Sequence, residues 1–195
     1  MREVISLNMP DNYKIIEDNL RNTYGSVVWS HKIQEKQADI SVKKYKVLEI
    51  VRIIASSLTS VGIISLLFSN ELWIKIVSAL LSFVSVAVSA IFKSFDLQTM
   101  ISRHKTTANK LLKSRDELKI LLIKTRLQQE PAKVLLDEYQ QLVKEIDAIY
   151  SDAPTTTNSA VKKARIALNI TKDNLITDAE IDNNLPQSLR KDYIE

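Results

Sequence analysis

The chain has 195 residues, with 27 basic and 23 acidic side chains, a formal net charge of +4 and no cysteine. The lack of thiols excludes disulfides, thiolate nucleophiles and cysteine-bound zinc, and so small an excess of mixed charge leaves no footprint for nucleic acid. A mean hydropathy of −0.07 conceals two apolar runs set in an otherwise polar chain.

In chain order, Met1 to Pro10 lacks the apolar core of a signal peptide, so the first apolar run is expected to act as its own insertion signal. Pro10 and Asp11 stand where a helix can begin, Pro near its first position and the acid in its first turn. Gly25 is expected to interrupt or end that helix. From Ser26 or Val27 the pattern is helical again through Lys44, with Trp29, Ile33 and Ile40 as a sparse apolar face. That helix is able to run straight into the membrane, and residues 1–52 are read as an N-terminal cytoplasmic helical segment.

The two runs, Ile53–Phe68 and Ile76–Phe92, carry no charge over 16 and 17 residues and are seven residues apart. Each approaches the roughly 17–25 residues of a spanning helix, and Ile50, Val51, Leu72, Trp73 and Ile74 extend their margins. They predict a transmembrane hairpin over residues 53–92. The competing reading is a soluble bundle with this hairpin as its core, but such a helix would keep a polar stripe, and here the polar positions are small hydroxyls. The connection Ser69 to Trp73 permits only an antiparallel hairpin. Trp73 suits the outer interface, and Tyr45, Phe92 and Phe95 the inner one. Lys36, Lys43, Lys44, Lys46 and Arg52 precede the first span, Lys93, Arg103, Lys105 and Lys110 follow the second, and the turn offers only Lys75. By the positive-inside rule both termini are expected in the cytoplasm.

Hydroxyls are the unusual side chains of the spans. Ser78, Ser82, Ser85 and Ser89 are spaced four, three and four and share one face; Ser56, Ser57, Thr59, Ser60 and Ser65 lie on the first span. They serve either close helix packing, with hydroxyls bonding across the contact, or the lining of a water-filled path when several hairpins assemble. Ala55, Thr59, Gly62 and Leu66 form a comparable seam. Gly62 reads as a close-contact point, with a gating bend as the alternative. With no charged residue or histidine inside either run, proton relays, voltage sensors and ion-coupled transport lack their usual residues.

Beyond Phe95, Leu97, Ile101, His104, Ala108, Leu111, Arg115, Leu118 and Leu122 recur at alternating spacings of four and three, a heptad-like, coiled-coil-like helix with two polar interruptions. Pro131 can open a second helix, in which Leu135, Tyr139, Leu142, Ile146 and Ile149 repeat the pattern. Residues 93–150 are therefore expected to form an antiparallel cytoplasmic pair. Leu111, Leu118, Leu122, Leu135, Tyr139, Leu142 and Ile146 are its candidate assembly residues. Asp152 to Pro154 break the second helix, Thr155 to Ser159 offer caps for a short helix ending near Asn169, and residues 151–195 otherwise read as a loosely ordered polar tail.

His31 and His104 are the only histidines, and they supply no triad and no metal spacing. His31 reads as a packing side chain, His104 as a structural one that, with Arg115, can tune register or respond to pH. Asp116-Glu117 and Asp137-Glu138 lie on solvated helix faces. Two glycines cannot make a phosphate-cradling loop. An enzyme is not expected, nor a metal or other cofactor.

Trp29-Ser30-His31 before a basic stretch, a close pair of spans, a long following helix with His104, and Ile149-Tyr150-Ser151-Asp152-Ala153-Pro154 occur in an order that resembles the SLATT family of bacterial two-transmembrane effectors, over roughly Leu20 to Leu168. The resemblance implies an all-α membrane protein of the inner membrane, multi-pass, acting in anti-phage or nucleotide-signalled conflict. It further implies an oligomeric pore or membrane disruption on activation, triggered by a nucleotide second messenger or a partner signalling protein. The lipid bilayer and further copies of the chain are its expected partners. The alternative is a non-conducting, membrane-tethered scaffold that recruits a partner through residues 97–150.

Overall fold

The structure is a computed structural model that describes residues 10–66, 71–173, 175–187 and 190. The expected turn residues Ser69 and Asn70, and the Ser65, Phe92, Lys93 and Phe95 side chains, lie outside the described residues. Among the described residues six helices follow one another: α1 Asp11–Leu66, α2 Leu72–Phe95, α3 Leu97–Leu127, α4 Ala132–Asp152, α5 Asn158–Asn169 and α6 Asp178–Asn184. Among the described residues there is no strand.

Gly25 does not break α1, which runs uninterrupted for 56 residues, about 84 Å at 1.5 Å per residue. A Cβ at Gly25 would meet nothing within 4 Å. The glycine is thus a half-buried weak point in a helix that packing on both sides sustains, and propensity alone does not end it.

The return limb is α2 followed by α3, joined through the single residue Asp96. Its left-handed backbone, φ 37° and ψ 57°, is one that aspartate tolerates better than most residues, and its Oδ1 accepts from the Thr99 N–H at 3.3 Å to cap α3. Both helices run back along α1 in one continuous antiparallel register. Arg126 pairs with Glu17, His104 bonds Gln34, Gln98 Nε2 donates to the Tyr45 hydroxyl at 2.7 Å, Ser85 meets Ser56 and Ser78 meets Gly62.

In the polar half, α4 completes a three-helix bundle with α1 and α3. Its core joins Ile16, Leu20 and Val27 of α1, Leu111, Leu118 and Leu121 of α3, and Leu135, Leu142 and Ile146 of α4, with Leu122 and Tyr139 packed on its edge. The bundle's edges are tied by Thr23 to Tyr139 at 2.8 Å, Lys124 to Glu138 at 2.9 Å, and the Tyr13 hydroxyl to the Glu130 carbonyl at 3.1 Å. The α3–α4 pair exists, but α3 packs chiefly on α1, and the seven residues expected to assemble copies face the interior of one chain. The heptad spacing marks the face that turns inward. It does not say whose helix is the neighbour.

Helix α5 rests on α1 through Ala160, Ala164 and Ala167, all buried. Thr157 at its start bonds Gln37, and Asp173 just past its end pairs with Lys36. The tail beyond Thr171, expected to be loose, carries α6, started by a reciprocal capping box between Thr177 and Glu180. The Thr-x-x-Glu spacing was present to be read.

In contrast to the polar half, the hairpin is almost bare. Within the most apolar windows of α1 and α2 only 6% and 11% of residues are buried, whereas the core helices of a soluble bundle would be mostly covered. Ile53, Ile54, Leu58, Ile63, Leu80, Phe83 and Val86 all face outward. The soluble-bundle reading falls on this observation, and the molecule is an all-α membrane protein.

Candidate functional site

Small residues hold the hairpin together. Ser78 is buried against Gly62: a Cβ at position 62 would overlap the Ser78 hydroxyl oxygen and stand 3.1 Å from the Ser78 Cβ. Six residues earlier on α1, Ser56 Oγ and Ser85 Oγ are 3.1 Å apart, and Ala55 and Val88 are buried nearby. Helices in lipid gain no hydrophobic advantage from association, so close van der Waals approach and such bonds carry the contact.

Three further hydroxyls are satisfied by their own helices. Thr59 donates to the Ala55 carbonyl, Ser60 to that of Ser56, and Ser89 to that of Ser85, at 2.8, 3.0 and 2.8 Å. Ser82 is half-buried and Thr59 likewise, while Ser56, Ser60 and Ser89 are exposed. The predicted serine stripe of α2 thus divides, with Ser78 and Ser85 against α1 and Ser89 open. Because residues four apart stand above one another, Ser60, Ser56, Ser85 and Ser89 make a file of hydroxyls along one edge of the hairpin, about 12 Å long.

In the polar half, α1, α3 and the α4–α5 connection converge on a buried polar junction. Gln34 Nε2 donates to the Pro154 carbonyl at 3.1 Å, and Gln34 Oε1 lies 2.6 Å from His104 Nδ1. Since the carbonyl can only accept, the amide nitrogen must face it, and His104 must donate from Nδ1. Arg103 donates to the Asp152 carbonyl at 3.2 Å and lies 3.5 Å from its carboxylate. The Tyr150 hydroxyl donates to Ser30 at 3.1 Å. Gln37 Oε1 accepts from both the N–H and the hydroxyl of Thr157, at 3.0 and 2.8 Å, fixing the residue that caps α5.

Burial lowers the pKa of His104, and the neighbouring Arg103 lowers it further. His31 is also lowered, chiefly by burial, with Glu35 opposing and Lys32 reinforcing the shift; its Nδ1 is buried without a hydrogen-bond partner among the described residues. Lys32, equally buried, is held by Glu35 at 2.7 Å. Both imidazoles are therefore neutral near pH 7. Among the described residues no group of three or more His, Asp or Glu side chains is placed to hold a metal. The junction is built to lock the α4–α5 connection onto α1.

Three separated segments, Trp29-Ser30-His31, the helix around His104 and Ile149 to Pro154, thus meet at one place. A family model, the SMODS and SLOG-associating 2TM effector domain family 4, matches residues 16–180. The chain belongs to this SLATT family. The match covers the hairpin, the bundle, the junction and α5, and reaches into α6. As a SLATT domain the chain is a two-transmembrane effector domain, and it resides in a membrane. Comparison with the curated proteins and with the solved structures gave no match.

Sequence reasoning missed Gln34, Gln37, Arg103 and Thr157 as members of the junction. The only signal was indirect: two glutamines three apart on an otherwise lysine-rich stretch, one helical face from Trp29-Ser30-His31.

Proposed function

We propose that this SLATT domain is a membrane effector of an anti-phage or nucleotide-signalled conflict system, which forms an oligomeric pore or disrupts the bilayer when activated. The observation that carries the reading is the hydroxyl file on an otherwise apolar, uncovered hairpin. One two-helix hairpin encloses nothing, so a polar edge in lipid is useful where neighbouring hairpins bring their edges together. In this reading Gly62 and Ser78 hold each hairpin, and Ser56, Ser60, Ser85 and Ser89 line the path. Both termini lie in the cytoplasm, by the lysine and arginine distribution. A nucleotide messenger or a partner signalling protein acts on the polar half, and the effector itself performs no catalysis.

Assembly in the cytoplasm then falls to side chains the bundle leaves outside. Ile120, Ile123 and Leu127, spaced three and four on α3, are about half exposed or more and form such a stripe. The same stripe supports the second reading, a non-conducting scaffold that recruits a different protein. Membrane potential followed by a dye during induced expression separates the two. The effector reading expects depolarisation that weakens when Ser56, Ser60, Ser85 and Ser89 are replaced by alanine at equal membrane level; toxicity with unchanged potential supports the scaffold.

A further inference from the structure

Beside the contact of α5 with α1 lies a groove of about 660 Å³, and its lining is basic and amphipathic. Lys36, Lys43 and Lys46 come from α1 and Lys163 from α5, facing the carboxylates of Asp39 and Asp173, with Val42 and Ile166 as apolar wall. Lys36 is paired with Asp173 at 3.4 Å. Lys43, Lys46 and Lys163 are exposed and have no ion-pair partner among the described residues.

The position of the groove selects its ligand. Lys46 precedes Ile53, where the charge-free run of the first span begins, by seven residues, or about 10 Å of helix, and Lys43 by about 15 Å. Headgroup layers are about 5–8 Å thick on each side of the hydrocarbon, and a lysine stem lets its ammonium reach several ångströms further along the helix. The mouth of the groove therefore opens at the level of lipid phosphates. We propose that it binds the phosphate headgroup of an anionic phospholipid, with Lys43, Lys46 and Lys163 on the phosphate and Val42 and Ile166 against the glycerol and upper acyl carbons. Basic clusters directly beside a span attract anionic lipid by about a factor of five per lysine. Because α5 is tied through Thr157 and Gln37 to the polar junction, a headgroup in the groove contacts the element that covers the junction.

The test uses the full chain in a neutral detergent at low salt, titrated with phosphatidylglycerol or phosphatidylcholine and read by native mass spectrometry. Wild type is expected to favour phosphatidylglycerol by tenfold or more. Replacing Lys43, Lys46 and Lys163 by glutamine should lose up to about 100-fold of that binding, and replacement by arginine should retain it. A control that removes the same charge at the exposed Lys119, Lys133 and Lys144 should also retain it. Far-UV circular dichroism verifies that all variants remain helical. The proposal is overturned if wild type binds the two lipids alike, if the glutamine variant keeps the preference, or if the control loses it equally. Displacement of the lipid by inorganic pyrophosphate at concentrations below the lipid's own Kd also overturns it, since the groove would then serve a soluble phosphate.

Discussion

Replacing Gly62 by alanine tests the hairpin contact directly. The new Cβ would overlap the Ser78 hydroxyl and lie 3.1 Å from the Ser78 Cβ. The hydroxyl can rotate away, but the Cβ cannot, and carbon atoms prefer about 3.5–4.0 Å. The two helices must therefore separate by several tenths of an ångström at this level, weakening the Ser56–Ser85 bond about 9 Å away along the axis. Overpacking of this kind costs about 1–3 kcal/mol. The chain has no cysteine, so Ser56→Cys with Ser85→Cys supplies a clean reporter whose disulfide yield under mild oxidation measures the approach of the helices. Gly62→Ala should lower both the yield and the unfolding midpoint in detergent, and Ser78→Gly in the same chain should restore them as a coupled pair. If Gly62→Ala cross-links and unfolds like wild type, or Ser78→Gly gives no rescue, the packing argument is wrong.

Leu118→Ala, at a position wholly buried in the three-helix core, should cost about 2–5 kcal/mol in chemical denaturation of the purified chain, whereas Ile120→Ala on the exposed stripe should leave stability within about 0.5 kcal/mol. Gly25→Ala should gain about 0.5–1 kcal/mol, because its Cβ enters open space on a helix, and a loss would show an unrecognised contact. Gln34→Leu leaves the His104 donor and the Pro154 carbonyl without their partner and should cost about 1–3 kcal/mol, visible as faster proteolysis after Asp152. Stability should also depend on pH. His104 and His31 titrate below their ordinary 6.5 in the fold, so the unfolded chain takes up protons first; their contribution is complete above about pH 6.5 and is lost as pH falls through the lowered folded values. A thermal midpoint unchanged from pH 7.5 to 5.5 would refute it, and His104→Gln should flatten the profile.

The spans were legible because a charge-free run of apolar residues is a one-dimensional signal that needs no partner to be recognised. The spacing of Leu111, Leu118, Leu135 and Leu142 was equally legible as an inward face, but the number of helices sharing that interior is set by tertiary packing, and α1 entered as a third. Gly25 misled because a local helix cost of about 1 kcal/mol is small against burial of Leu20 and Val27 on either side of it. The serine spacing identified a face without revealing that Gly62 would take up Ser78 and leave Ser89 open. The polar junction was least legible: its members are 70 to 120 residues apart in pairs such as Gln34 with His104 and Gln37 with Thr157, and no local pattern encodes such a meeting.

The unbroken α1 gives the molecule a mechanical asymmetry. Its limb passes from the bundle into the bilayer as a single rod, while the opposite limb has a one-residue joint at Asp96. A tilt of about 5° about one end of a rod about 84 Å long displaces the other by about 7 Å, more than the rise of one helical turn. A tilt of α1 in the bundle is therefore carried by the same helix to Gly62, whereas on the opposite limb the joint at Asp96 stands between the bundle and the span.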